Sequence, residues 1–187
     1  MKSIFKKSAT ALAISLLVVS FAKAGPITHD SPMSTSGFVY RVIDGDTFVI
    51  NIEPDAYERV KRNAEGDEDR ERYLDDRFNS IRVRLANIDT PESAHRDESR
   101  NTEMGSFLSS RVTNMIEEEN VGLRCHDFGV YGRIICNVGF IDDSGEMLDL
   151  GGYLIGNGYS PYVTHFGESP YYHEIYQQLE RSARPRY

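Results

Sequence analysis

Positive charge is scarce in this sequence. Its 187 residues carry 21 Lys and Arg against 29 Asp and Glu, a net charge of −8. That excludes a uniformly basic surface of the kind that grips a long polyanion tightly. There is no apolar run long enough to span a bilayer, which takes roughly 20 residues. The most apolar stretch, about Ala11 to Phe21, is roughly half that length. No internal repeat is present. Cys125 and Cys136 are the whole cysteine complement, so the chain can form at most one internal disulfide.

The apolar stretch has a reading of its own. Lys2, Lys6 and Lys7 precede it, and Ala22-Lys23-Ala24 places small residues at both positions that a signal peptidase reads. This is the pattern of a secretory signal over residues 1–24; the rival reading, a membrane anchor, is disfavoured by length. Removal leaves 163 residues, enough for one domain with a real core. The segment holds four lysines and no acid, so the mature chain balances 17 basic against 29 acidic residues, or −12. Export, periplasmic or extracellular, brings an oxidising compartment. That favours a Cys125–Cys136 bridge over two buried thiols.

Residues 25–36 are small, polar and proline-bearing, which predicts a flexible leader. A domain over 37–187 follows. Alternation from Phe38 to Ile43 predicts a strand, Asp44-Gly45-Asp46 a turn, and Thr47 to Ile52 a second strand. Residues 53–77 break this pattern: 16 of the 25 are charged. They read as a solvated insertion, part helical around Ala56 to Glu65, or as a flap over a site. Ile81 to Ile88 returns to strand. Asn101 is placed to cap a helix whose Met104, Phe107, Leu108, Val112, Met115 and Ile116 form one apolar stripe. Strands are predicted over 121–126 and 133–141, and helices over 148–157 and 170–182. Five short strands with a helix after the third predict an α+β fold, a five-stranded OB-type barrel with three helices.

Three clusters carry chemistry. In Asp44-Gly45-Asp46-Thr47, two carboxylates at the end of a strand repel unless a cation neutralises them, although the same residues also make an ordinary hairpin turn. A hard divalent ion such as Ca²⁺ suits such oxygens. In Arg84-Leu85-Ala86-Asn87-Ile88-Asp89-Thr90-Pro91-Glu92, Asp89 and the Thr90 carbonyl can join that ion. Glu92 can activate a water, and Arg84 can reach back along its strand; alternatively Arg84 and Glu92 form a surface ion pair of little worth. Tyr131-Gly132-Arg133 offers an arginine fork matched to phosphate, or is a plain exposed loop. Together they supply a metal, a base and two cations, which is what phosphodiester cleavage requires.

These three motifs, in this order over roughly residues 37 to 165, resemble the staphylococcal nuclease (thermonuclease) family. The resemblance implies an OB-fold and Ca²⁺-dependent hydrolysis of DNA and RNA leaving 3′-phosphate and 5′-hydroxyl ends. It implies Asp46, Asp89 and the Thr90 carbonyl as direct calcium ligands, with Asp44 acting through water. Glu92 matches the general base, Arg84 and Arg133 the phosphate-binding arginines, and Tyr131 a tyrosine beside the substrate phosphate. The insertion, Val130 in place of a lysine, and the cysteine pair depart from the best-known member. Tyr159 and Tyr162 do not align with that member's base-stacking tyrosines. The expected protein is a monomer that takes DNA and/or RNA as substrate and has no stable membrane association once the signal is gone. The alternative is an inactive OB module that binds nucleic acid or protein; the retained acids and arginines argue against it.

Overall fold

The computed structural model describes Ile27, residues 31–95 and residues 97–187. The predicted signal over residues 1–24 lies outside the described residues. Strand β1 (Met33–Asp44) turns through Gly45-Asp46 into β2 (Thr47–Ile52). The insertion then forms α1 (Pro54–Ala64), α2 (Glu68–Glu71) and a short β3 (Leu74–Asp75). Next come β4 (Ser80–Leu85), a single 3-10 turn (Glu98–Arg100) and α3 (Glu103–Ile116). Strands β5 (Asn120–Phe128), β6 (Ile134–Ile141) and β7 (Met147–Asp149) lead to α4 (Leu150–Gly156) and α5 (His173–Ser182).

Strand β1 lies between β2 and β5, β2 also pairs with β4, and β5 pairs with β6, all antiparallel. A parallel pairing of β4 with β6, Val83 to Ile134 through Leu85 to Cys136, closes the ring. The result is the predicted five-stranded OB barrel, with β3 and β7 as short additions. Val39, Phe48, Ile50, Ile81, Val83, Leu123 and Val138 fill it. Leu108, Val112 and Ile116, spaced at one helical face of α3, complete the same core. Cys125 and Cys136 face each other across β5 and β6 and are joined by a disulfide.

Several boundaries differ from the sequence reading. Strand β1 begins at Met33, because Met33 to Phe38 pair with Cys125 to Asn120 of β5. Ile27 and Met33 are buried. The predicted leader over 25–36 therefore ends in strand: a waiting strand edge outweighs weak local propensity. The cap of α3 is Thr102, whose hydroxyl accepts from the Gly105 amide, and not Asn101, whose side-chain oxygen accepts from the His95 amide. Helix α4 starts only at Leu150, capped by Asp149 through the Gly152 amide, and Gly158 at φ +72° turns the chain just after it. Helix α5 starts at His173 rather than Pro170. The insertion is more than a solvated face: Tyr57, Val60 and Ala64, on one side of α1, are buried, and Tyr57 and Val60 join the hydrophobic core. No helix among the described residues is long and apolar enough to cross a membrane.

Candidate active site

Three connections meet at one end of the barrel: the β1–β2 turn, the segment after β4, and the β5–β6 turn. Asp46 is buried in the first. Its Oδ2 accepts from the Thr90 amide and the Thr90 hydroxyl, both at 3.0 Å, and its Oδ1 accepts from the Thr47 hydroxyl at 3.0 Å. Asp44 is tied one step further on: its Oδ1 accepts from the Gly45 amide and the Ser93 hydroxyl, each at 2.7 Å. Gly45 lets these segments touch, since a Cβ there would lie 2.9 Å from the Thr90 hydroxyl. Two acids that would repel in isolation are thus each held by neutral donors from residues 90–93.

Arg84 projects from β4 and is only 19% exposed. Its guanidinium forms an ion pair with Asp46 and donates to Asp89 Oδ1 at 2.8 Å, the reach along the strand that the sequence allows. It does not pair with Glu92. Burial works against the Arg84 charge, but Asp46 and then Asp89 outweigh it and hold the group above its ordinary value. The Asp89 side chain is two-thirds exposed, and its amide donates to the Ser160 hydroxyl.

Glu92 is placed by α3. Its carbonyl accepts from the Thr102 amide at 2.9 Å. A Cβ on Gly105 would lie 2.0 Å from that carbonyl oxygen, so only glycine lets the helix pass so close. Burial first, then Asp44 and Asp46, push the Glu92 carboxyl above the ordinary value, while His95 and then Arg100, 3.8 Å away, pull it down. Arg133 leaves the β5–β6 turn and donates to the Thr47 hydroxyl at 3.2 Å. Burial and then neighbouring Arg84 lower its proton affinity, opposed by Asp46; as an arginine it stays charged.

Arg84, Asp89, Glu92, Tyr131 and Arg133 line one cleft of about 500 Å³, with Asp44, Asp46 and Thr90 buried beside it. Tyr131 is exposed at its rim beside exposed Val130. Tyr159 and Tyr162 are buried instead. The cleft is also lined by residues that sequence reasoning missed, His165 and the 77% exposed Phe166, whose rings lie 3.8 Å apart. They sit in a loop without periodicity, and nothing in the sequence marks them. Thr47, inside the first quoted motif, and Ser93, directly after the second, were given no role; Ser160 is 71 residues from the Asp89 it contacts.

Asp46, Asp89 and the Thr90 carbonyl are the residues that could hold a cation. The Arg84 guanidinium shows that both carboxylates already face one positive charge. Among the described residues no three His, Cys, Asp or Glu side chains gather as a metal cluster. An ion here would therefore rest on two carboxylates, a carbonyl and water, a set of hard oxygens that fits Ca²⁺ in kind.

No curated protein matches the chain. The family model described as staphylococcal nuclease homologue matches residues 82–186, from β4 onward, and so includes Arg84, Asp89, Thr90, Glu92, Tyr131 and Arg133. That family is a nuclease family, generally Ca²⁺-dependent, and its domain implies a nucleic-acid substrate. With more than half of the chain matched and its barrel closed in the OB manner, this chain belongs to the staphylococcal nuclease family.

Proposed function

We propose that the chain is an exported, Ca²⁺-dependent nuclease that hydrolyses phosphodiester bonds of DNA and/or RNA and leaves 3′-phosphate and 5′-hydroxyl ends. One observation carries this reading: Arg84, Arg133 and Glu92, from three separate segments, converge beside two carboxylates that face a common cation. Asp46, Asp89 and the Thr90 carbonyl would hold Ca²⁺, with Asp44 acting through water. The bound ion supplies polarisation of a phosphoryl oxygen. Glu92, held more basic than an ordinary carboxylate, accepts the proton of the attacking water. Arg84 and Arg133 donate to the phosphoryl oxygens as charge builds on them. Tyr131 stands at the rim beside the phosphate. The Cys125–Cys136 bond supports export into an oxidising compartment.

The mature charge of −12 shapes substrate capture. Two arginines and an ion hold one phosphate locally, so KM for DNA rises steeply with salt. Single-turnover cleavage of plasmid DNA by Glu92→Gln and Arg133→Ala tests the reading. Each is expected to lose roughly 10²- to 10³-fold in rate while still binding DNA. Wild-type rates in both variants would sink it.

A further inference from the structure

The insertion is fixed to the arginine side of the cleft. Gly132 has φ +78°, and a Cβ there would lie 2.0 Å from the Asp69 carbonyl oxygen of α2. Arg72 donates to the Tyr131 carbonyl at 3.3 Å and pairs with Asp69 at 3.0 Å. The Arg70 guanidinium lies over the Phe128 ring, 4.6 Å from its centroid. The chain then passes through Tyr73, whose carbonyl accepts from the Arg82 amide at 3.1 Å, before β3 pairs with Ser80 and Ile81.

Two guanidiniums share the Tyr73 ring. Those of Arg72 and Arg82 each lie 4.8 Å from its centroid, and the Tyr73 hydroxyl also accepts from Arg72 at 3.1 Å. Arg82 stands two residues before Arg84, on the same face of β4 and about 7 Å along it. The residue after it, Val83, pairs with Ile134, the residue after Arg133. Arg82 makes no ion pair among the described residues, and Arg72 pairs only with Asp69. Both line a cleft of about 960 Å³ between the insertion and the barrel, with Lys61, Arg62 and Arg77. Acids line it too: Asp76 is engaged by Lys61 and Tyr57, each at 2.7 Å, Glu71 by the Gly66 amide at 2.8 Å and Asp75 by the Arg77 amide at 2.9 Å, and Glu58 and Glu65 complete the lining. Two guanidiniums gathered on one ring, of which only Arg72 has a carboxylate partner, leave donors free for an anion.

We propose that Arg72 and Arg82, held together by Tyr73, clamp a backbone phosphate of the nucleic-acid strand next to the scissile one, so that the insertion's cleft continues the catalytic cleft. The nuclease reading supplies the identity of the ligand; the clamp itself is a phosphate site. It acts on binding and not on the chemical step.

The test uses the disulfide-bonded mature protein and a fluorescein-labelled 12-nucleotide single strand of DNA. Fluorescence anisotropy is measured in chelator across a salt series, so binding is read without cleavage. Arg82→Gln is expected to weaken binding about tenfold and to lower the slope of log K against log salt by about 0.7, one phosphate contact on a single strand. Arg82→Lys, which keeps the charge, should keep the slope, and its melting temperature controls for folding. With Ca²⁺, kcat/KM on a dinucleotide, which spans only the scissile phosphate, should be unchanged in Arg82→Gln. Unaltered affinity and slope in Arg82→Gln overturn the clamp, as does undetectable wild-type binding or an equal loss on the dinucleotide. Inactive wild type that still binds with the predicted slopes would remove the nuclease reading and leave the clamp standing.

Discussion

On the acid side of the cleft, Asp44 and Asp46 are buried and each is bonded to the 90–93 segment through side chains. On the arginine side, Tyr131 is 63% exposed, and the turn bearing it rests on the backbone of α2 and on Arg72, which is 59 residues from Tyr131 in sequence. The acid side is built from neighbouring strand ends and is self-sufficient. The arginine side depends on a separate element to hold its shape. Mutations should therefore act differently on the two: loss of chemistry with little change in fold on the first, loss of placement on the second.

The largest effect is expected from Asp46→Asn. It removes the charge that Arg84 faces and that a cation would need, and cleavage should fall at least 10²-fold, with Ca²⁺-induced thermal stabilisation lost. Differential scanning fluorimetry with and without Ca²⁺ reads the second effect independently of activity. Next comes Gly132→Ala. Its left-handed backbone alone costs about 1–2 kcal/mol, and the collision with Asp69 adds to that. Cleavage should drop about tenfold or more as Arg133 is displaced, with Ca²⁺ stabilisation intact. Gly66→Ala sharpens the contrast: Gly66 has a similar φ of +81° but nothing within 4 Å of a new Cβ. It should lower stability by about 1 kcal/mol, read by urea unfolding, and leave kcat/KM alone.

A last effect, on the pH dependence of stability and not on cleavage, lies away from the catalytic residues, where α4 meets α5. Burial raises the Asp149 carboxyl from 3.8 to about 6, against hydrogen bonds from Tyr176 and the Gly152 amide that lower it. A raised carboxyl favours the protonated folded state. The stability it contributes is complete below pH 3.8 and is lost as pH rises through about 6. Because Asp149 is only half-buried as a residue, the loss is about 2 kcal/mol. Asp149→Asn keeps a capping side chain and should flatten this part of the pH–stability curve, with no change in the pH dependence of cleavage.

The acid side was legible in the sequence because its parts lie within short motifs. Asp44 and Asp46 share one turn, and Asp89, Thr90 and Glu92 share one segment. The barrel was legible because the apolar alternation of β2, β4 and β6 has period two and the stripe of α3 has a helical period. The arginine side was legible only as a motif. Nothing in a run of charges tells that Asp69 will back against Gly132 or that Arg72 will reach the Tyr131 carbonyl, because those contacts depend on the packing of Tyr57 and Val60 beneath. Met33 to Ser36 looked like leader for the same reason: their partner strand, β5, lies almost 90 residues on. Phe166 and His165 were invisible because a loop leaves no period.

The central claim is Ca²⁺-dependent phosphodiester hydrolysis in this cleft, and end-group analysis tests it most directly. Purified mature protein is incubated with a 5′-labelled DNA oligonucleotide and a matching RNA, with Ca²⁺ or with chelator, and the product ends are identified by mass spectrometry. The account predicts cleavage of at least one of the two with Ca²⁺ only, yielding 3′-phosphate and 5′-hydroxyl ends. No cleavage with Ca²⁺, equal cleavage in chelator, or 5′-phosphate ends would contradict it.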